Sequence, residues 1–279
     1  VSPRGASNVV ASAMPKMSTR RKLALATWDG PREGNIYGKL TVDASRAMAW
    51  LDEQRQKGGE KVTITHLVGK AVALALRREP TLNGRIAWGA YVPHETVDIS
   101  YLVVLEDGSD LAKVKICEAD KKSISELAKE LRERAGKVRK GQDSEFEKSK
   151  GLIRLLPTWL LKPILTFTGW LTGSLGVSLP ALGLEPFPFG SAVITSVGMM
   201  GLDEGFAPPT PFARVPLLVL VGAVRDAPVV QDGQVVVSKL LTITATIDHR
   251  FIDGYQGAIL AKAVREIFEH PENLESSAR

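Results

Sequence analysis

The last third of the chain most constrains the fold, because it alternates β-branched segments with glycine turns. These segments lie at 191–197 (SAVITSV), 217–224 (LLVLVGAV), 235–237 and 240–247 (LLTITATI). Runs rich in Val, Ile and Thr that are bounded by Gly or Asp-Gly are typical of strands. Similar patterns predict strands at 36–42, 97–105 and 111–116. The chain must therefore form a sheet of several strands, and other elements of the chain must pack over that sheet.

Helical segments alternate with these strands. Apolar residues at helical spacing predict four helices: one capped by Asp43 or Ser45 and ending near Gln56, a buried one from a Thr65 cap to Pro80, an exposed amphipathic one over 122–140, and a last one over about 256–269. Helices that alternate with strands, without an internal repeat, predict an α/β (α+β layered) fold. We expect an N-terminal arm or linker at 1–13, followed by a single domain over 14–279.

Composition narrows the class of protein. Among the 279 residues, 44% are hydrophobic and 24% are charged, as in ordinary globular proteins. The net charge of +5 suits a polyanionic small molecule as well as nucleic acid, but no aromatic-basic platform accompanies it, so nucleic acid is not an expected partner. One cysteine excludes an intrachain disulfide framework and fits a reducing compartment, so we expect a cytoplasmic protein. Neither a metal-ligand cluster nor a secretory leader is predicted.

One of the four histidines stands out as a candidate catalytic group. Surface or capping roles suit His66, His94 and His270. His249 instead follows a β-branched strand, and Asp253 comes four residues later, before a glycine. A histidine held at a strand end suits a general base near neutral pH. A structural His-Asp pair would have the same spacing, so spacing alone leaves both interpretations open.

The residues around His249 resemble a known family. The sequence DHRFIDG at 248–254 is similar to the DHRxxDG signature of the catalytic domain of dihydrolipoamide acyltransferases, the core subunits of 2-oxo acid dehydrogenase complexes. The resemblance covers roughly residues 15–146 and 190–274. It implies a chloramphenicol acetyltransferase-like fold, with a mixed sheet flanked by helices, and a homotrimer whose active site lies at the subunit interface.

The resemblance also implies the chemistry, which is thioester exchange between coenzyme A and a dihydrolipoyl thiol. His249 would be the general base, and Thr195, with Ser196 as second choice, would stabilise the oxyanion. Asp253 would be structural and would pair with Arg20 or Arg21 to hold the histidine loop. The basic cluster at 16–22 would either complement the phosphates of coenzyme A or simply be solvated. We expect the lipoyl group to be supplied by another protein, and no metal to take part.

Three departures from the family pattern affect these expectations. The strand region 100–116 lacks the usual proline and gains Lys113 and Lys115, which puts the usual acceptor in doubt. The C-terminus lacks a leucine-rich knob, so trimers are expected more firmly than larger cages. A hydrophobic insertion at about 148–189 is added. It would be an interfacial helix on a membrane surface, a lid or wall for a hydrophobic acyl chain, or a hairpin packed on the core or on a neighbouring subunit.

Three functions therefore stay in view. The first is an acyltransferase that uses coenzyme A and a dihydrolipoyl-type thiol. The second is a trimeric scaffold with little or no catalysis, which would organise partners or associate with a membrane through the insertion. The third is an acyltransferase with a non-lipoyl acceptor. The uncharged run 163–184 reaches spanning length, but its glycines and prolines disfavour a transmembrane helix.

Overall fold

The computed structural model describes residues 34–57, 59–104, 111–140 and 158–276. The strands are β1 (Asn35–Asp43), β2 (Gly84–Ala87), β3 (Ala90–Pro93), β4 (Ile99–Val104), β5 (Leu111–Ile116), β6 (Ala192–Ser196), β7 (Leu217–Gln231) and β8 (Gln234–Asp248). The helices are α1 (Ser45–Gln56), α2 (Ile64–Arg78), α3 (Ile124–Arg139), α4 (Thr158–Gly169), α5 (Gly254–Glu269) and α6 (Asn273–Ser276).

Six strands form one mixed sheet in the order β1-β8-β7-β6-β4-β5. The pairs β4–β6 and β6–β7 are parallel, and the remaining pairs are antiparallel. This arrangement confirms the predicted mixed sheet. Strands β2 and β3 form a separate two-stranded hairpin that the sequence analysis missed, because its four-residue strands are too short to show a period.

Strands β7 and β8 form one long hairpin. The prediction of three separate segments at 217–224, 235–237 and 240–247 was therefore wrong, because most of the residues between these segments also belong to the two strands. Each strand has 15 residues, and Asp232 and Gly233 turn the chain with φ of 50° and 79°. Positive φ at both central residues is the requirement of a type I′ turn. Near its turn the hairpin is mostly exposed, as Val230 and Val235 show at 73% exposure each. Without a buried face the sequence there lacks the alternation that predicts a strand.

Helix α2 is the centre of the main core and is buried along most of its length, as its apolar surface predicts. It begins after Thr63 rather than after the predicted Thr65. Thr63 and His66 form a reciprocal cap in which the Thr63 backbone N–H donates to His66 Nδ1 at 3.0 Å. Helix α1 likewise begins after Ala44, and the Asp43 carboxylate accepts the Ser45 N–H at 2.8 Å.

The insertion covers part of the opposite sheet face. Its described part is α4, then a π-helical turn at Trp170–Ser174 and a 3₁₀ turn at Pro180–Leu182. Residues 148–157 of the predicted insertion lie outside the described residues. It packs on the segment that precedes β7, because Gly169 lies so close to Phe212 that an added Cβ would be 2.7 Å from the Phe212 carbonyl oxygen. The outer side of α4 leaves Phe167 58% exposed. Within the described ranges, no helix combines the length and the apolar character needed to cross a membrane.

Two lysines of β5 hold the end of the insertion. Lys115 is buried, and its ammonium group contacts the Glu185 carboxylate at 2.8 Å and donates to the Phe187 carbonyl at 3.2 Å. Lys113 donates to the Pro188 carbonyl at 2.7 Å. The lysines that distinguish this strand from the family pattern therefore bind the segment that leads from the insertion to β6.

Candidate active site

His249 lies directly after β8, in a turn that joins the sheet to α5. Its backbone N–H donates to the Gly34 carbonyl at 2.6 Å. Phe251 and Ile252, two and three residues later, are buried, and their N–H groups both donate to the Asp248 carbonyl at 3.0 Å. The half-buried histidine is thus fixed by backbone on both sides and does not depend on a mobile loop.

The hydrogen bond of the His249 ring defines its tautomer. Nδ1 lies 2.9 Å from the Ile252 carbonyl oxygen. A carbonyl oxygen can only accept, so Nδ1 carries the proton and Nε2 carries the lone pair of the neutral ring. That lone pair is the one a general base uses to take a proton from a substrate.

Asp253 is the N-cap of α5. Its carboxylate accepts the backbone N–H groups of Tyr255 and Gln256 at 3.0 and 3.2 Å, and the Gln256 side chain returns a bond to the Asp253 N–H. This capping box fixes where α5 begins and so where the histidine turn ends. The predicted partners Arg20 and Arg21 lie outside the described residues, as does the basic cluster at 16–22.

Thr195 and Ser196 lie on β6, far from His249 of the same chain. Thr195 is level with Leu220 of β7, which is level with Thr244 of β8. From Thr244 to His249 the strand advances five residues, or about 17 Å at 3.4 Å per residue. One chain therefore does not bring the predicted base and the predicted hydroxyl together. Thr195 is buried on the sheet face that also carries Val193, whereas Ser196 points to the opposite face.

A pocket of about 190 Å³ adjoins the histidine turn. Both chain neighbours of His249 line it, and they pair with each other: Arg250 donates to the Asp248 carboxylate at 3.0 Å from Nε and 2.6 Å from a terminal nitrogen. Arg85 and Arg214 complete the set of three guanidinium groups. Sequence reasoning missed these two arginines, because they are distant in sequence and neither lies in a motif.

His94 is half-buried beside this pocket, so its predicted surface role is wrong. Its ring meets the Phe187 ring edge-on at 4.8 Å between centroids, and the Arg85 guanidinium lies 4.3 Å from the same Phe187 centroid. Burial, together with the nearby Arg85 charge, lowers the pKa of His94 to about 4. Burial also lowers the pKa of His66 to about 4. Both rings are therefore neutral at pH 7.

Comparison with known sequences identifies the class. The family model for the catalytic domain of 2-oxoacid dehydrogenases acyltransferase matches residues 34–154 and 181–275. The chain belongs to this family. The unmatched residues 155–180 fall inside the predicted insertion.

The chain is similar to a dihydrolipoyllysine-residue acetyltransferase component of the acetoin cleaving system of Bacillus subtilis (strain 168). The identity is 28% over 221 residues, which cover 78% of this chain and 44% of that protein. A lipoamide acyltransferase component of the branched-chain alpha-keto acid dehydrogenase complex of Pseudomonas putida is 25% identical over 94% of this chain and 53% of its own length. The chain thus spans about half the length of the curated relatives it matches.

Solved structures confirm the fold. The cubic core of a pyruvate dehydrogenase multienzyme complex superposes with a TM-score of 0.64 at 19% identity, over 99% of this chain and 100% of that one. A probable dihydrolipoamide acetyltransferase from Listeria monocytogenes gives 0.61 at 21% identity, over 88% and 86% of the two chains. The mixed sheet with flanking helices that these two structures share is therefore the fold of this chain.

Proposed function

We propose that the protein is an acyltransferase that moves an acyl group between coenzyme A and a dihydrolipoyl-type thiol. The observation that carries this proposal is the Nδ1–H bond of His249 to the Ile252 carbonyl, which prepares Nε2 as a base. The dihydrolipoyllysine acetyltransferase and lipoamide acyltransferase relatives support the choice of thioester and thiol substrates.

In the proposed reaction, His249 Nε2 takes the proton from the attacking thiol. The thiolate sulfur forms a bond to the thioester carbonyl carbon, and the carbonyl electrons become the charge of an oxyanion. When the oxyanion collapses, the original carbon–sulfur bond breaks, and the departing thiolate takes the proton back from the His249 imidazolium. The acyl group has then exchanged one sulfur for another, with no net change in charge or oxidation state.

Thr195 would donate a hydrogen bond to the oxyanion, with Ser196 as second choice. The separation along the sheet means that this hydroxyl would come from a neighbouring subunit. A homotrimer with three active sites at its interfaces provides this pairing, and we propose it as the working unit. In Azotobacter vinelandii dihydrolipoamide acetyltransferase, roles in catalysis were investigated for a serine, a histidine and, four residues after that histidine, an asparagine. Asp253 stands four residues after His249, which supports a role in holding the base.

The partner of such a trimer would be a protein or segment that carries a lipoyl group, as in the 2-oxo acid dehydrogenase complexes to which relatives belong. Assembly of trimers into a larger core is an extension of the same proposal, supported by the cubic core with the same fold. The single cysteine fits a reducing compartment and supports a cytoplasmic location.

A thiol-release assay tests the function. Short and long acyl-coenzyme A donors are incubated with the protein, with and without free dihydrolipoamide. We expect release that depends on dihydrolipoamide and falls about 100-fold or more in His249→Ala, since a general base contributes 10²–10⁴-fold. The matched control is His270→Ala, at the exposed end of α5.

Sedimentation of both variants checks that the oligomer is intact. Near-normal release in His249→Ala would contradict the mechanism. No release with any donor would favour the scaffold, and release that ignores dihydrolipoamide but needs an amine or hydroxyl acceptor would favour the third function.

A further inference from the structure

Most residues that line the pocket beside the histidine turn have no role in the proposed reaction. It is lined by three arginines and by hydroxyl groups, including those of Thr166 and Ser174 from the insertion. Both residues lie in the stretch 155–180 of the insertion, which the family model does not match. One wall of the pocket is therefore formed by residues that the family model does not match, and the arginines come from the matched part of the chain.

Backbone and side-chain contacts hold two of the arginines in place. Arg85 donates from Nε to the Ser174 carbonyl at 2.8 Å and from a terminal nitrogen to the Pro93 carbonyl at 3.3 Å. Arg214 donates to the Ser174 hydroxyl at 3.2 Å. The backbone of Arg214 has a φ of 50°, in the left-handed region that residues other than glycine rarely adopt. Such strain persists only where the surroundings fix it, and it is common at ligand sites.

The charges of the pocket are unbalanced. Among the residues that line it within the described ranges, Asp248 carries the one carboxylate, and it is engaged by Arg250. Glu95 acts on Arg85 only through its charge at longer range. Burial lowers the pKa of the Arg214 guanidinium, and the positive charge of Arg250 lowers it further. The half-buried Arg85 and the more exposed Arg214 thus face the cavity, and no carboxylate among the described residues contacts either guanidinium.

We infer that this pocket binds an oxyanion, a carboxylate or phosphate group of a substrate whose thioester reacts at His249. This inference rests on the proposed function for the identity of the ligand, but the site itself is defined by Arg85, Arg214 and Ser174. Arginine guanidinium groups and hydroxyls are the donors that carboxylates and phosphates prefer. Two sources would present such a group: a second carboxylate on the acyl chain, or a phosphate of coenzyme A.

Direct binding tests the site independently of catalysis. Succinate and inorganic phosphate are titrated calorimetrically into the wild-type protein, into Arg214→Met and into Arg225→Met. Arg225 is the matched control, because it is an exposed arginine that lies 3.8 Å from the Asp203 carboxylate. We expect at least one anion to bind the wild type and the control equally, and to bind Arg214→Met about 10-fold or more weakly, as loss of a charge-assisted hydrogen bond predicts.

Absence of binding by both anions, or equal binding by Arg214→Met, would overturn the inference whether or not the protein is active. If Arg214→Met does not fold by circular dichroism, Arg85→Met makes the same comparison with the same two outcomes.

Kinetics then distinguish the two sources. If the group is an acyl carboxylate, Arg214→Met raises KM for succinyl-coenzyme A about 10-fold and leaves KM for acetyl-coenzyme A unchanged. If it is a phosphate, KM for both donors rises alike, while acetyl-pantetheine, which lacks phosphates, is unaffected. Unchanged KM for all donors would overturn the inference. Inactivity of the wild type with every donor, together with anion binding that needs Arg214, would reject the proposed function and leave the oxyanion site standing.

Discussion

We expect the free energy of unfolding to decrease in mild acid because of His94. Its ring lies between Phe187 and the charge of Arg85, and the pKa of His94 in the folded protein is about 4. In the unfolded chain the pKa of a histidine is about 6.5. As the pH falls below 6.5 the unfolded chain binds a proton that the folded protein does not, so the free energy of unfolding decreases. The decrease levels off below pH 4, where the folded protein also binds the proton.

These two pKa values set the size of the effect. By pH 5 almost all of the unfolded chain and about a tenth of the folded protein carry the proton on His94, which corresponds to a loss of about 2 kcal/mol relative to pH 7.5. Over the full interval down to pH 4 the loss approaches about 3 kcal/mol. His66 has the same folded pKa of about 4 and adds a similar loss.

Urea unfolding followed by tryptophan fluorescence, at fixed protein concentration and at both pH values, measures this loss. In His94→Gln the loss between pH 7.5 and pH 5 should be about 2 kcal/mol smaller than in the wild type, whatever the change costs at neutral pH. His270→Gln, on a half-exposed ring, is the control and should retain the wild-type loss. An equal loss in His94→Gln and the wild type would refute the argument.

Two further predictions compare matched pairs of positions. Gly190 and Gly201 have φ of 69° and 77°, but an added Cβ would lie 2.4 Å from a backbone oxygen at Gly190 and would meet nothing within 4 Å at Gly201. Gly201→Ala should therefore cost about 1 kcal/mol of unfolding free energy and Gly190→Ala clearly more, and equal costs in urea unfolding would contradict the contact. Lys115→Met should speed thermolysin cleavage near Glu185, because Glu185 loses its buried partner. Lys121→Met, at an exposed position, is the control and should leave the cleavage rate unchanged. Equal cleavage rates in the two variants would show that the Lys115 ammonium does not hold this segment.

The elements predicted correctly from the sequence are those whose buried residues recur at a regular spacing. Helix α2 is apolar around most of its surface and was recognised as buried, and β5 was predicted with its observed bounds, Leu111–Ile116. In the outer half of the β7–β8 hairpin only 235–237 was predicted, because few side chains there are buried and no alternating pattern results. The N-cap of α2 was misplaced because Thr63 and Thr65 are both suitable residues, and only the reciprocal bond with His66 favours the first.

The site was predictable only where a contiguous motif carries it. His249 and Asp253 lie in one seven-residue segment, and a strand in front of them is visible in the sequence. Arg85 and Arg214 meet because the insertion brings Ser174 between them, and such a long-range contact leaves no local pattern. His94 was assigned to the surface for the same reason, since Phe187 covers it only after the insertion has folded back.

The two departures from the family pattern, the lysines of β5 and the insertion, are physically one feature. A buried ammonium group without a partner is strongly unfavourable. Lys115 is tolerated in β5 because the end of the insertion supplies Glu185 and the Phe187 carbonyl. Since the buried lysine is costly without that segment, the lysines are explained by the insertion and do not require a different acyl acceptor. The chemical difference between this chain and its relatives then lies at the arginine pocket, where the insertion meets the histidine turn.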